Sequence, residues 1–251
     1  MHSSKRQLQI QELFAANEFL DINDLCGKLS ASRSSLRRDL IELEKRGLLR
    51  RVHGGAISLR TRDDVLDFNK LAVSCHEEKA RIGRLAATLI DDGQTIILGG
   101  GSTAVEVARN LVSRPVQVIT NSIPVAQVFW DCKQVEVTLT GGYLYPRLGI
   151  QLGPICERML HGVAADALVM GIRGITALGL SDSNTLIVGS IRKMIEASRK
   201  VIVVADRTKF GRDGMMHVAD LKELDVVVSD SGLAPEYQEL LKDNGLTCIL
   251  A

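Results

Sequence analysis

Arg33, Arg37 and Arg38 fall within six residues of one another in the run SRSSLRRDLIELEKRGLLRRVHGGA, residues 32–56. Residues four apart share a helix face, so Arg33 pairs with Arg37 and Ser34 with Arg38. Leu36, Leu40 and Leu43 form a separate apolar stripe. Guanidinium groups in the first turns of a helix oppose its macrodipole, whose N-terminal pole is already positive. A polyanion in front of the helix removes that conflict, and DNA is the obvious candidate. Arginine grips phosphate or guanine bidentately, and the hydroxyls of Ser32, Ser34 and Ser35 can donate to phosphate or bases. The competing reading is a solvated helix whose arginines pair with its own Asp39, Glu42 and Glu44. His53, in a tight His-Gly-Gly turn, suits either a phosphate contact at a wing tip or a brace holding that turn.

A second chemical pattern lies in TIILGGGSTAVEVARNL, residues 95–111. It reads as strand, glycine-rich turn and helix. Gly99, Gly100 and Gly101 let backbone N–H groups converge, and Ser102 and Thr103 add hydroxyls at the helix start, a geometry that binds phosphate. Glycines that merely allow close helix–sheet packing are the alternative. The turn lacks the lysine of a P-loop and does not form G-x-G-x-x-G, which argues against a nucleotide. Polar loops recur at later strand ends: Thr120-Asn121-Ser122, Gly141-Gly142 and DRTKFG (206–211). In an open parallel sheet, ligands bind at those ends. Lys209 could neutralise a phosphate as a point charge, or be an ordinary surface lysine.

The elements that must carry these residues follow from periodicity. Leu8, Ile10, Leu13 and Phe14 predict a helix over residues 5–16. Asp21 caps a second, with Ile22, Leu25 and Leu29 inward, and Ser32 caps a third that runs to about Arg46 and stops at Gly47. LLRRV and GAI then read as a short hairpin whose wing carries Arg50, Arg51 and His53. Three small helices and a hairpin describe a winged helix-turn-helix over residues 1–58. Residues 59–75 read as a linker. From 76 to 251, apolar runs (TIIL, VQVIT, VEVTLT, ALVMGI, KVIVVAD, DVVVSD, TCIL) alternate with helical stretches, which predicts a mostly parallel sheet covered by helices.

Charge follows the same division. The 251 residues carry a net charge of +1, yet residues 1–62 hold 12 Lys/Arg against 7 Asp/Glu, and the remainder 19 against 23. A basic head on a mildly acidic body suggests a nucleic-acid module joined to another function. The five cysteines are scattered, with no C-x-x-C and no nearby histidine at ligand spacing, so reduced thiols are expected and no metal site. The N-terminus has no apolar leader core, and no apolar run approaches the ~20 residues that span a bilayer. A cytoplasmic protein without a membrane partner is the expectation.

The 32–56 run resembles the helix-turn-helix signature of the DeoR family of bacterial transcriptional regulators: Ser, two variable residues, Thr, an aliphatic, Arg-Arg-Asp-Leu, a Leu-Glu pair, Gly, then Arg-x-His-Gly-Gly-Ala. Ser35 stands where Thr is usual. Residues 76–230 resemble the family's C-terminal sensor domain through the G-S-T turn, V-I-T-N-S (118–122), T-G-G (140–142), Asp166 to Ile175, Gly179-Leu180-Ser181-Asp182 and DRTKFG. The resemblance implies an α/β fold of the ribose-5-phosphate isomerase/CoA-transferase type. It further implies operator DNA as one partner, a phosphorylated sugar or similar anionic metabolite as another, and self-association as dimer or tetramer. No cofactor is implied. The expected DNA contacts are Ser32, Arg33, Ser34, Ser35, Arg37, Arg38, Arg51 and His53. The expected effector contacts are Gly99, Gly101, Ser102, Thr103, Asn121, Gly142, Arg173 and Lys209.

The chain departs from the family pattern at three places. Gly99 stands where an Asp is usual, Arg173 where a small residue is usual, and Ile187 and Ile191 replace polar residues in the Asn184–Met194 segment, which keeps Arg192 and Lys193. A sugar-phosphate enzyme with a DNA-binding arm is the rival from another class. Isomerisation needs a base over the sugar carbons, and Gly99 supplies none. The third reading is a DNA-binding module whose body only oligomerises.

Overall fold

The pattern of buried residues divides the chain before any function is considered. A computed structural model describes residues 6, 7, 9, 10, 13, 19–29, 31–45, 49–52, 54–58 and 67–251. The chain forms two compact units, Met1–Val65 and Leu66–Ala251.

In the first unit, residues 6, 7, 9, 10 and 13 are helical (α1). They are followed by β1 (Phe19–Asp21), α2 (Ile22–Leu29), α3 (Arg33–Lys45), β2 (Leu49–Val52) and β3 (Gly55–Ser58). Ile10, Leu20, Leu25, Leu29, Leu36, Leu40, Leu43, Leu49 and Ala56 make one core. The expected hairpin is present, with Arg51 opposite Ala56. A third strand joins it: β1 pairs antiparallel with β3, Phe19 opposite Ile57, giving the order β1-β3-β2. Asp21 ends β1 and accepts the Asn23 N–H at 2.7 Å, which starts α2 as its cap was expected to. Gly47 lies outside the described residues.

The second unit opens with α4 (Phe68–Val73) and α5 (His76–Ala87). Helix α4 falls inside the stretch read as a linker. Asp67 caps it by accepting from Asn69 and Lys70, and it belongs with the body, whose compact unit begins at Leu66. Seven parallel strands then build the main sheet: β4 (Thr95–Leu98), β5 (Gln117–Thr120), β6 (Glu136–Leu139), β9 (Ala167–Met170), β12 (Val201–Val204), β14 (Val226–Ser229) and β15 (Thr247–Leu250). Their order is β15-β14-β12-β9-β4-β5-β6. The chain winds outward from β4 to one side and from β9 to the other, so the winding direction reverses between β4 and β9.

Along each central strand, alternate residues enter opposite layers, as a sheet covered on both faces requires. Ile96, Leu98, Val169, Ile202 and Val204 face one layer with α5 and α6 (Ser102–Arg109). Ile97, Leu168, Met170 and Val203 face the other, with α8 (Pro154–Leu160), α9 (Thr185–Glu196) and α10 (Pro235–Asp243). Helix α7 (Ile123–Val128) follows β5, capped by Ser122. Two small additions escaped the periodicity: a hairpin of β7 (Tyr143–Tyr145) and β8 (Ile150–Leu152), and an antiparallel sheet of β10 (Gly174–Thr176), β11 (Gly179–Asp182) and β13 (Met216–Ala219).

Candidate DNA-contacting helix and effector site

Helix α3 turns Leu36, Asp39, Leu40 and Leu43 inward and leaves Arg33, Ser34, Arg37 and Arg38 exposed. Its first turn contains no acidic residue. Ser32 starts it: its Oγ accepts the Ser35 N–H at 3.3 Å and lies 3.0 and 3.1 Å from the Ser35 and Ser34 hydroxyls. Arg33 donates to the side-chain oxygen of Asn23 on α2, and Arg38 Nε donates to the Ser34 carbonyl at 3.4 Å. Arg37 makes no hydrogen bond or ion pair among the described residues.

Two of the three carboxylates that could have neutralised these arginines, Asp39 and Glu44, are engaged elsewhere. Asp39 is buried and forms an ion pair with Arg6 of α1. Glu44 accepts from the Arg51 backbone N–H at 2.8 Å and from Arg51 Nε at 2.6 Å. These bonds hold the Glu44 carboxyl below its ordinary pKa. The helix thus keeps its exposed positive face, while Arg51 of β2, expected at the DNA, is tied to α3 through its backbone N–H and its Nε. His53 lies outside the described residues.

In the body, the glycine-rich turn answers both of its readings, residue by residue. At Gly100 a Cβ would stand 2.4 Å from Ile150 Cγ2, so close packing dictates glycine there, whereas at Gly99 it would stand 3.1 Å from the Met170 Cβ, a tight contact that a small shift relieves. Gly101 is different: its φ of +115° demands glycine, and nothing lies within 4 Å of its open side. Space therefore opens where the turn enters α6, beside the buried Ser102 and Thr103.

The ends of β9 and β5 lie against Gly100 of the same turn, and the end of β12 carries Asp206 and Lys209. Gly171, just past β9, lies 3.6 Å (from its Cβ position) from the Gly100 carbonyl oxygen. Asn121, just past β5, is buried; its Nδ2 donates to the Gln151 carbonyl at 3.0 Å. That bond fixes the amide orientation and leaves Oδ1 buried with no hydrogen-bond partner, 3.9 Å from where a Gly100 Cβ would be. Past β12, the buried Asp206 accepts from the Thr208 N–H at 3.0 Å and starts the turn that carries Lys209.

Burial pushes the Lys209 ammonium below its ordinary pKa; Asp206 opposes this, and Lys79 and Arg212 reinforce it. Lys79 was not singled out in the sequence. It is 2 % exposed on α5, and its Nζ donates to the carbonyls of Leu71 and Ser74. Burial lowers its pKa as well, opposed chiefly by Asp206. Its signal was available: Lys79 shares a helix face with Ile82, Gly83 and Ala86, a cation on an apolar stripe. Gly83 lets α5 approach α6 closely, since a Cβ there would stand 2.6 Å from Glu106.

Other expected contacts have further duties. Ser102 Oγ donates to the Leu71 carbonyl at 3.2 Å. Gly142 has a φ of +115°, and its Cβ would meet the Leu152 carbonyl at 2.6 Å, so packing against β8 and α8 accounts for the glycine. Arg173 is half-buried in the loop after β9, next to Gly174, whose Cβ position lies 2.3 Å from the Arg212 carbonyl. Ile187 packs with Leu148, Ile150 and Leu152, and Ile191 borders them, so the polar residues usual there are replaced by an apolar cluster. A groove of about 730 Å³ beside Ser102 is lined mostly by apolar residues, among them Phe68, Val73, Val105 and Val128, and does not include the two lysines or Asn121. Among the described residues no cluster of His, Cys, Asp and Glu fits a metal ion, and no helix is long and apolar enough to cross a membrane.

Comparison with known proteins gives the same division. Residues 6–62 match the DeoR-like helix-turn-helix domain and residues 74–231 the DeoR C terminal sensor domain. The chain is 30% identical over 250 residues to the HTH-type transcriptional repressor GlcR of Bacillus subtilis, covering 100% of this chain and 97% of that one. It is 34% identical over 230 residues to the transcriptional repressor AccR of Agrobacterium fabrum, covering 90% and 89%. It is 28% identical to the HTH-type transcriptional regulator UlaR of Shigella sonnei, covering 99% of each. Among solved structures, a ribose 5-phosphate isomerase from Methanocaldococcus jannaschii aligns over 55% of each chain at 18% identity and a TM-score of 0.37, too distant to bear on function.

Proposed function

The chain belongs to the DeoR family of DNA-binding transcriptional regulators, and we propose that it is a repressor released from its operator by a phosphorylated sugar or related anionic metabolite. One observation supports the DNA half above the others: α3 exposes Arg33, Arg37 and Arg38 while Asp39 and Glu44 are engaged by Arg6 and Arg51. The serines at the helix start and the Arg51 wing complete the contact surface. Two heads of a homo-oligomer would read the halves of a palindrome.

For the effector half, the support is a buried cationic corner, an open-sided Gly101 and an acceptor at Asn121 that awaits a donor. An anion satisfies the lysines, and a hydroxyl satisfies Asn121 Oδ1; a phosphorylated sugar carries both. The body senses and does not turn its ligand over. The test is a mobility shift on the DNA upstream of the gene, titrated with a panel of sugar phosphates. At least one should lower operator affinity about tenfold or more; by reciprocity it binds the DNA-bound protein that much less well. A panel that leaves operator affinity untouched and binds with no heat returns the body to a purely oligomerising role.

A further inference from the structure

Lys79 is the least expected charge in the body. It stands among the largest fully buried side chains, at 2 % exposure, and no carboxylate reaches it at ion-pairing distance among the described residues. Isolated buried ammonium groups are costly, and a lysine kept only for packing would be better replaced by methionine. An ammonium has three N–H donors. Two are used, at 2.5 Å to the Leu71 carbonyl and 2.6 Å to the Ser74 carbonyl, both at the C-terminal end of α4 and its exit. One remains.

The charges around it are unbalanced. Lys79 disfavours the charged form of Lys209, and the favourable charge that both feel most is the buried carboxylate of Asp206. Glu78 and Glu106 favour the charged form of Lys79 more weakly. A buried lysine and a half-buried one sharing one carboxylate leave an excess positive charge that a small anion would neutralise. Ser102, at the first turn of α6, donates to the same Leu71 carbonyl. The glycine-rich turn and Lys79 therefore hold one oxygen of α4 jointly. The N-terminal end of α4 is tied as well, by the Phe68 N–H to the Arg147 carbonyl at 2.8 Å.

We infer that Lys79 is an anion ligand of the effector site, and that the same ammonium carries anion binding into α4. This rests on the effector reading above and deepens it. A bound phosphate takes the third N–H of Lys79, holds the group charged, and so strengthens its two bonds to the α4 carbonyls. The segment so gripped, residues 67–75, is the first of the body that the chain reaches after the DNA-binding head. Anion binding at the sheet is thereby felt in the stretch of chain to which the head is attached.

The test is amide hydrogen exchange on the full-length protein, with and without inorganic phosphate at millimolar concentration. In the wild type, phosphate should slow exchange at residues 99–103 and at residues 67–75 together. Lys79→Met should weaken phosphate binding about tenfold or more and abolish the response at 67–75, while any remaining protection stays at 99–103. Protection at 99–103 with no change at 67–75 overturns the inference and leaves the effector reading standing; so does a folded Lys79→Met protein that binds phosphate like the wild type. No protection at either segment removes the anion site and the inference with it. The wild-type comparison decides the matter even if Lys79→Met does not fold.

Discussion

The two cationic regions of this protein use opposite environments. On α3, Arg33, Arg37 and Arg38 are exposed, and Arg37 has no partner among the described residues. In the body, Lys79 is buried and bonded to backbone carbonyls, and Lys209 is half-buried. Exposed guanidinium groups stay charged at every accessible pH and act over a Debye length, which suits a long polyanion met from solution. Buried ammonium groups cost desolvation and can titrate, which suits one small anion that fits between them. Residue type follows the environment: arginine where charge must persist, lysine where it must respond.

The largest expected effect tests why the arginines of α3 are available at all. Asp39 is buried on α3 and paired with Arg6 from α1. Removing one member of a buried pair leaves an uncompensated charge, at a cost of about 3–5 kcal/mol. Arg6→Ala should destabilise the head by that order, measured on its own unfolding transition in urea. A head as stable as the wild type would mean that the Arg6–Asp39 pair does not hold the head together, and the contrast between the regions would fail.

Next comes the operator. Arg37→Ala should cost on the order of 1–3 kcal/mol in affinity if the side chain reads a base, with relaxed specificity at that position. A uniform loss across DNA sequences, with a salt dependence shallower by about one unit, would make Arg37 a phosphate contact instead. Unchanged affinity would remove α3 from the interface.

Titration separates the regions directly. Burial lowers the pKa of Lys79 and Lys209 from 10.5, so both lose their protons earlier than free lysine as pH rises. The unfolded chain holds its protons up to 10.5, so the ligand-free body gains stability across that window. Anion affinity should move the other way, falling by up to about tenfold per pH unit for each lysine deprotonated. Operator binding through arginine should stay nearly flat over the same range. Calorimetry with phosphate and mobility shifts between neutrality and pH 10 provide the comparison; parallel curves would deny it.

Much of this was legible in the sequence for reasons that can be named. Leu36, Leu40 and Leu43 announce α3 at helical spacing, and VIVV or VVVS announce strands buried on both faces. Helix α4 was missed because FNKLAV makes fewer than two turns and buries no residue fully, so its stripe is too short to show a period. Strand β1 was missed because it exists through pairing with β3, more than thirty residues away. The unpaired Oδ1 of Asn121 depends on a partner, Gln151, that no local pattern connects to it. Lys79 was visible as a charge out of phase with its face, but its meaning required the carbonyls of α4 to be set against it.

Arg51 stands between the two regimes and gives the smallest effect. Its side chain is 44% exposed, yet Nε is held by Glu44. If Arg51 reaches a phosphate with its remaining nitrogens, Glu44 weakens that contact by competing for the same charge. Glu44→Gln should then raise operator affinity by less than about fivefold, the scale of an exposed pair. Removing any carboxylate near DNA also lessens repulsion, so the single variant is ambiguous. The double-mutant cycle is not: in the Glu44→Gln background, Arg51→Ala should cost more operator affinity than in the wild type, because the freed guanidinium contributes more. Equal costs would mean that Arg51 holds the hairpin to α3 and leaves the DNA to the exposed arginines.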